Sequence, residues 1–432
     1  MTNISRKERL QRRRKKAEKI IFMIGITAVI FVVATYAWFI GTTQVTVSDF
    51  TLSVKSGDGL EISLDGVNFD TTVSISKDIL SALTAEGGSY LTSAGNKNYW
   101  TEEGLEPIST VGEMDLTNSV LKLFNKTSIS SLNGGYKLRS NKIDNVTAGE
   151  TGGYVVFDLF LKNKSGDGYQ KAFDHAIDEG VYLIGDSSVS LSAQGADGAT
   201  LTGGDGIENS IRLAFMQIGR IDMNESTTSK IQGMSCTADD DDDDDPVTQL
   251  CDRTTTDFPT GQGMTWNIWE PNDLKHIPSA KTHFNAICKE RSAVDTYSGA
   301  CSLVTDDHWS GDEYIKTYPV QKDVEASNNV NIYDGLNSYT ETIGESKFLA
   351  NFDYFTDSEK DLTDKQELFY ISPNSITKLR VYIYLEGQDI DNYDLGSYGK
   401  QIKISFGFTK DKFGISGEDE PEPEPGPEPE GE

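Results

Sequence analysis

Beyond Gly41 the apolar residues recur at a spacing of two, which predicts strands rather than helices. Val45 and Val47 alternate, then Phe50, Leu52 and Val54 alternate on the other parity, so a bulge or strand break is expected at Ser48–Asp49. Leu60, Ile62 and Leu64 run into Asp65-Gly66 and are followed by Val67 and Phe69. Asp-Gly between alternating runs predicts a two-residue hairpin turn, because both central positions need positive φ. Tyr154 to Leu161 is apolar on both parities and predicts a central strand covered on both faces. Further strands are expected at Val181–Leu183, Val189–Leu191 and Ile211–Phe215, at Val381, Ile383 and Leu385, and from Ile402 through Ile404 and Phe406 to Phe408. Long periodic helices are absent, and 40 glycines supply turns. The expected class is all-β, a β-sandwich or jelly roll.

The N-terminal end follows another pattern. Ile20 to Ile40 is 21 residues without a charge, about 30 Å as a helix, which matches a hydrocarbon core. The flank at 6–19 is strongly basic, so the expected topology leaves the N-terminus in the cytoplasm and the body outside. Thr35-Tyr36-Ala37 places small residues at −1 and −3 of a cut between Ala37 and Trp38. The apolar stretch is longer than an ordinary signal-peptide core, so cleavage and retention both stay open. The chain then divides into a basic cytoplasmic segment (1–19), a transmembrane or signal helix (20–40), two parts of a sandwich (41–218 and 311–415), a cysteine- and Asp-rich insertion (219–310) and a disordered Pro/Glu-rich tail (416–432).

Charge narrows the function. The chain has 39 Lys/Arg and 68 Asp/Glu; nine and two of these fall in residues 1–37, leaving the rest with a net −36. Such a body repels phosphate backbones, so no nucleic-acid partner is expected. Cys236, Cys251, Cys288 and Cys301 are even in number and lie in the exported region, which predicts disulfides, with three pairings possible. Neighbour pairing would close loops of 15 and 13 residues. Their spacing lacks the close CxxC pairs of a zinc site. Asp239–Asp245 is an unbroken run without the spacers and turn residues of a calcium loop, and reads as a solvated loop. His276 and His283, with Glu270 and Asp273, would meet only on a helix, which Pro278 argues against. No metal and no cofactor are expected. GxSxG, P-loop, HExxH and dinucleotide fingerprints are missing, so no catalytic residue is assigned and the protein reads as a non-enzyme.

Thr35-Tyr36-Ala37-Trp38-Phe39 resembles the export junction of the TasA/camelysin-like biofilm-matrix proteins of Gram-positive bacteria, which are processed by a signal peptidase of the SipW type. Phe157-Asp158-Leu159-Phe160-Leu161-Lys162-Asn163 is similar to that family's central strand. Ile268-Trp269-Glu270-Pro271-Asn272 and Leu385-Glu386-Gly387-Gln388-Asp389 look like motifs of surface proteins from the same bacteria. The basic head is longer than in the fibre proteins, and the insertion and acidic tail are extra. The resemblance implies a jelly roll, no catalysis, and self-association by donation of the N-terminal strand to a neighbour. The expected function is an exported surface or matrix structural protein, tethered by residues 20–40 if uncut. The competing expectation is a membrane-tethered binding module for surface glycans or proteins, with Trp100, Trp266, Trp269 and Trp309 as aromatic platforms.

Overall fold

A computed structural model describes residues 52–56, 59–90, 95–101, 104–132, 135–143, 152–166, 168–171, 177–191, 206–236, 247–251, 266–271, 330–334, 367–387, 389, 391 and 402–412. The 20–40 segment, the Ala37–Trp38 bond, Cys288, Cys301, the Asp run, His175, His276, His283, His308 and the 416–432 tail lie outside them. Among the described residues no helix is long and apolar enough to cross a membrane.

The fold is mostly strand. In chain order these are β1 (Leu52–Ser56), β2 (Leu60–Ser63), β3 (Thr72–Ile75), β4 (Tyr99–Trp100), β5 (Pro107–Asp115), β6 (Val120–Leu132), β7 (Gly135–Lys142), β8 (Val155–Asn163), β9 (Glu179–Leu183), β10 (Ser188–Leu191), β11 (Ile211–Asp222), β12 (Thr248–Gln249), β13 (Trp266–Trp269), β14 (Val330–Asp334), β15 (Phe369–Ile371), β16 (Ser375–Glu386) and β17 (Ile402–Lys412). Among the described residues two short α-helices, Lys77–Thr84 and Thr228–Gln232, interrupt them. Ser76 caps the first, its hydroxyl accepting from the Ile79 amide.

Two sheets face each other. The smaller runs β15–β9–β17–β1–β3. Its β9 and β10 both lie antiparallel to β17 on one side, Leu183 opposite Phe408 and Ser188 opposite Ser405, so together they act as one strand interrupted at 184–187. The larger sheet has β11 and β16 at its centre, with β8 beside β16 and β2 and β4 beyond it. Apolar side chains at odd positions of β8, β11 and β16 meet those at even positions of β17 in one core. Phe215 packs edge-on against Phe406 and Phe408, with centroids 5.5 and 5.7 Å away, and this contact joins the two sheets.

The large sheet is covered on its other face as well. Every residue from Tyr154 to Leu161 is buried, as the unbroken apolar run predicts. The cover consists of the segment around helix Thr228–Gln232, the turn at 86–90 and the β5–β6 hairpin, whose Ile231, Met234, Tyr90, Leu121 and Leu123 close over the sheet. A covered second face needs an answer for every polar side chain that alternation places there, and charged clusters supply it.

The Asp65-Gly66 turn differs from expectation. β2 pairs with β8, and only Ile62 bridges back to Asp70, so the loop is wide rather than a two-residue hairpin. The Asp65 carboxylate is the reason: its Oδ1 accepts the Val67 and Asn68 amides at 2.9 and 2.8 Å and organises a larger turn. β3 then crosses to the small sheet. Gly66 sits at φ +69°, and an added Cβ would lie 2.9 Å from Ile231 and 3.2 Å from Phe160, so only glycine lets the cover approach this closely.

The cysteine-bearing stretch, expected to start at 219, grows directly out of a sheet strand. β11 continues to Asp222 with a bulge between Gln217 and Gly219, and β12 and β13 pair back onto it. Cys236 and Cys251 are bonded, at a sequence separation of 15. Both are buried against Met216 and Ile218. Replacing both with serine is expected to remove about 3 kcal/mol of stability by the loop-entropy relation. Urea unfolding of the variant against the parent under oxidising conditions measures it, and the loss should vanish when both are reduced.

Candidate functional site

The first strand lies in the interior of a sheet. β1 pairs parallel with β17 on one side and antiparallel with β3 on the other. Leu52 stands opposite Ile404 and Ile75, and Val54 opposite Phe406 and Val73, so two apolar rows run across three strands. Leu52 and Val54 are essentially inaccessible to solvent. Burying such a pair contributes about 1.5–3 kcal/mol for each side chain. Among the described residues the strand is Leu52–Ser56, and Leu52 and Val54 are its core anchors. In sequence, eleven residues separate β1 from the expected export segment at 20–40.

Among the described residues, three buried ion clusters hold the large sheet. In the first, Arg380 donates Nε to Asp158 Oδ1 at 2.7 Å and Nη2 to Oδ2 at 3.0 Å. The Tyr90 hydroxyl donates to Asp158 Oδ2 at 2.5 Å. Lys378 Nζ lies 3.4 Å from the same oxygen and donates to the carbonyls of Gln232 and Met234 at 2.8 and 3.1 Å. It also sits over the rings of Tyr90 and Phe160, 5.6 and 5.7 Å from their centroids. Arg380 further reaches the Ser119 and Gly95 carbonyls. Burial alone would raise the Asp158 carboxyl, but Arg380 and then Lys378 outweigh it and hold it at about 2. Burial pulls the Lys378 ammonium down to about 8, although Asp158 favours its charged form.

The second cluster is centred on Arg212. Its Nη2 donates to Glu270 Oε1 at 2.5 Å and Asp389 Oδ2 at 2.6 Å, and its Nη1 to the Asn209 and Ile211 carbonyls. Asn209 Nδ2 donates to Asp391, whose amide donates to Asp389. The strings Ile268–Asn272 and Leu385–Asp389, singled out in the sequence, thus bring Glu270 and Asp389 to one guanidinium. Glu270 is engaged here, which takes it out of the imagined group with Asp273, His276 and His283. In the third cluster Arg220 donates to Asp178 at 2.8 Å and to the Lys171 carbonyl.

A fourth group links the two sheets. Asn163, at the end of β8, donates Nδ2 to Glu179 Oε2 at 2.7 Å and to the Ser372 carbonyl at 3.1 Å. Lys410 Nζ on β17 donates to that same Glu179 oxygen at 2.6 Å and to the Ser165 hydroxyl. Ser165 donates its amide to Asn163 Oδ1 at 3.3 Å, and its hydroxyl lies 3.0 Å from that oxygen and 2.9 Å from Glu179 Oε2. Burial raises the Glu179 carboxyl, and the hydrogen bonds from Lys410, Asn163 and Ser165 more than offset it, so its pKa is lowered on balance.

Sequence reasoning assigned none of Arg212, Arg220, Lys378, Arg380 or Lys410. The available signal was a charge within an otherwise apolar strand. The aromatic platforms largely close: Trp269 is wholly inside the core and Trp100 is buried against it, so neither can stack on a glycan. Trp266 lies in β13 opposite Met216, and Trp309 lies outside the described residues. Among the described residues no group of three or more His, Cys, Asp or Glu is placed to hold a metal ion. No family model, curated protein or solved structure matches the chain.

Proposed function

We propose that this chain is a non-enzymatic exported structural protein of the cell surface or extracellular matrix, a sandwich of the jelly-roll kind that self-associates by donating its N-terminal strand. The observation that carries the reading is β1: a strand described over Leu52–Ser56, inserted between β17 and β3 and separated by eleven residues from the 20–40 segment. A short strand with two core anchors is the element a sheet releases at least cost, and a neighbour's identical segment satisfies the same backbone groups. The Cys236–Cys251 bond supports an oxidising compartment, and the resemblance at Thr35–Phe39 agrees with export.

The chain beginning at Trp38 is expected to form fibres or oligomers visible by electron microscopy and sedimentation. Ser53 and Ser74 stand opposite each other in β1 and β3. A Ser53→Cys/Ser74→Cys disulfide locks β1 in its own sheet and should leave the protein monomeric. A strictly monomeric parent, or equal assembly by the locked variant, would remove strand donation from the account.

A further inference from the structure

We propose that Lys410 and Asn163 become joined by an intramolecular amide bond, formed by the chain itself with Glu179 as the proton carrier. The three groups needed for such a step are collected in one buried place. The nucleophile is the Lys410 amine and the electrophile is the Asn163 side-chain amide carbon. Both nitrogens donate to one oxygen, Glu179 Oε2, so they lie no further apart than those two hydrogen bonds allow. The Ser165 amide donates to Asn163 Oδ1, where negative charge develops when the amide carbon is attacked. The Ser165 hydroxyl, 3.0 Å from that oxygen and 2.9 Å from Glu179 Oε2, can turn its one proton to it once Glu179 is protonated. Donors aimed at that oxygen stabilise the tetrahedral intermediate. Asn163 is wholly buried, and the Lys410 and Glu179 side chains are 7% and 4% exposed, so water is held away from the reacting carbon.

The chemistry balances without an outside reagent. Glu179 begins as a carboxylate and takes a proton from the Lys410 ammonium, giving a neutral amine. The amine nitrogen attacks Asn163 Cγ, and the carbonyl electrons move onto Oδ1. Glu179 then passes its proton to the departing Nδ2. The Cγ–Nδ2 bond breaks, the carbonyl reforms, and the proton left on the new amide nitrogen returns through Glu179. One Nζ–Cγ bond replaces one Nδ2–Cγ bond, and the ammonia leaves as ammonium, carrying the positive charge that began on lysine. Nothing is oxidised or reduced. Proximity would supply most of the acceleration, because one carboxylate oxygen already gathers the Lys410 amine and the Asn163 amide.

The Asp158 cluster shows why the bond is assigned here. There the acid beside Lys378 is gripped by two arms of Arg380 and held as a carboxylate, which is a poor electrophile. Asn163 is an amide with a proton carrier at its nitrogen and the Ser165 amide donating to its oxygen. The product would tie β17 of the small sheet to β8 of the large one, a covalent clasp across the core. It would hold the sandwich together under pulling whether or not β1 is exchanged.

Intact-mass measurement of the purified protein after reduction and denaturation tests this directly. The wild type is expected to be lighter than its sequence by about 17 Da, the ammonia lost when a lysine amine acylates. Proteolysis should yield a branched peptide joining Lys410 to Asn163. Lys410→Arg and Glu179→Gln should both run at full sequence mass, and a variant that fails to fold leaves the wild-type measurement decisive. A wild-type Lys410 peptide with a free ε-amine would overturn the proposal. So would ammonia loss without the branched peptide, which would mean cyclisation at an asparagine instead.

Discussion

Replacing Asp158 with alanine is expected to cost the domain most or all of its stability. The change leaves Arg380 and Lys378 buried, with their carboxylate partner gone and a cover segment pressed onto them. Breaking a buried pair by removing one partner costs about 3–5 kcal/mol. Here one carboxylate answers two cations, so the upper end applies, against a total of about 5–15 kcal/mol for an ordinary domain. Loss of the urea transition, or of protease resistance, reads it out; a shift under about 1 kcal/mol would show that the cluster is solvated. The parent should carry a matching pH signature. The Asp158 carboxyl titrates at about 2 in the fold against an ordinary 3.8. Its pKa is depressed, so its contribution is complete above 3.8 and is lost as pH falls toward 2. By linkage this is about 2 kcal/mol, and Asp158→Asn should abolish it. Lys378 acts on the alkaline side. Its folded value of about 8 lies below the ordinary 10.5, so between them the unfolded chain holds more protons and stability rises with pH.

Where side chains meet across the sandwich, periodicity was a sufficient guide. The alternation at Val381, Ile383 and Leu385, at Ile402 to Phe408 and at Ile211 to Phe215 reappears as core-facing positions of β16, β17 and β11. The doubly apolar run Tyr154–Leu161 became a strand covered on both faces. Alternation misleads about the other parity. Lys378 and Arg380 alternate with Leu379 and Val381, and a two-layer sandwich would put them in water; both are fully buried. The missing information is the third layer, which comes from segments without periodicity, the stretches around Tyr90 and Met234. Asp158 was the visible anomaly, a lone charge in an apolar run. Its need for a partner follows from the cost of burying a charge. That the partner lies 222 residues away does not follow from sequence. The Asp65-Gly66 turn failed for a local reason: dipeptide identity selects a turn type, but side-chain capping by Asp65 selected a wider one.

Arg212→Met should destabilise the domain by a comparable amount with the opposite response to acid. Arg212 is the cation between Glu270 and Asp389, both without measurable side-chain exposure, and Glu386 and Asp391 are buried nearby. Methionine occupies much of the same volume and carries no charge. The variant therefore keeps its packing and leaves carboxylates facing one another in a site that excludes water. Removing the cation costs about 3–5 kcal/mol at neutral pH. Those carboxylates can relieve the cost by taking up protons, which a buried acid without a cation does more readily than an exposed one. The folded variant then binds more protons than the unfolded chain, so its stability rises as pH falls from neutral, until the unfolded carboxylates are protonated as well. The parent, whose Asp158 is held at about 2, does the reverse as pH drops below 3.8. Unfolding midpoints measured from pH 7 down to mild acid for parent and variant should therefore converge. Parallel curves would mean that Arg212 contributes packing and hydrogen bonds to the Asn209 and Ile211 carbonyls and little through its charge. Convergence would identify this guanidinium as the neutralising centre that lets the Ile268–Pro271 and Leu385–Asp389 segments share one buried end of the sheet.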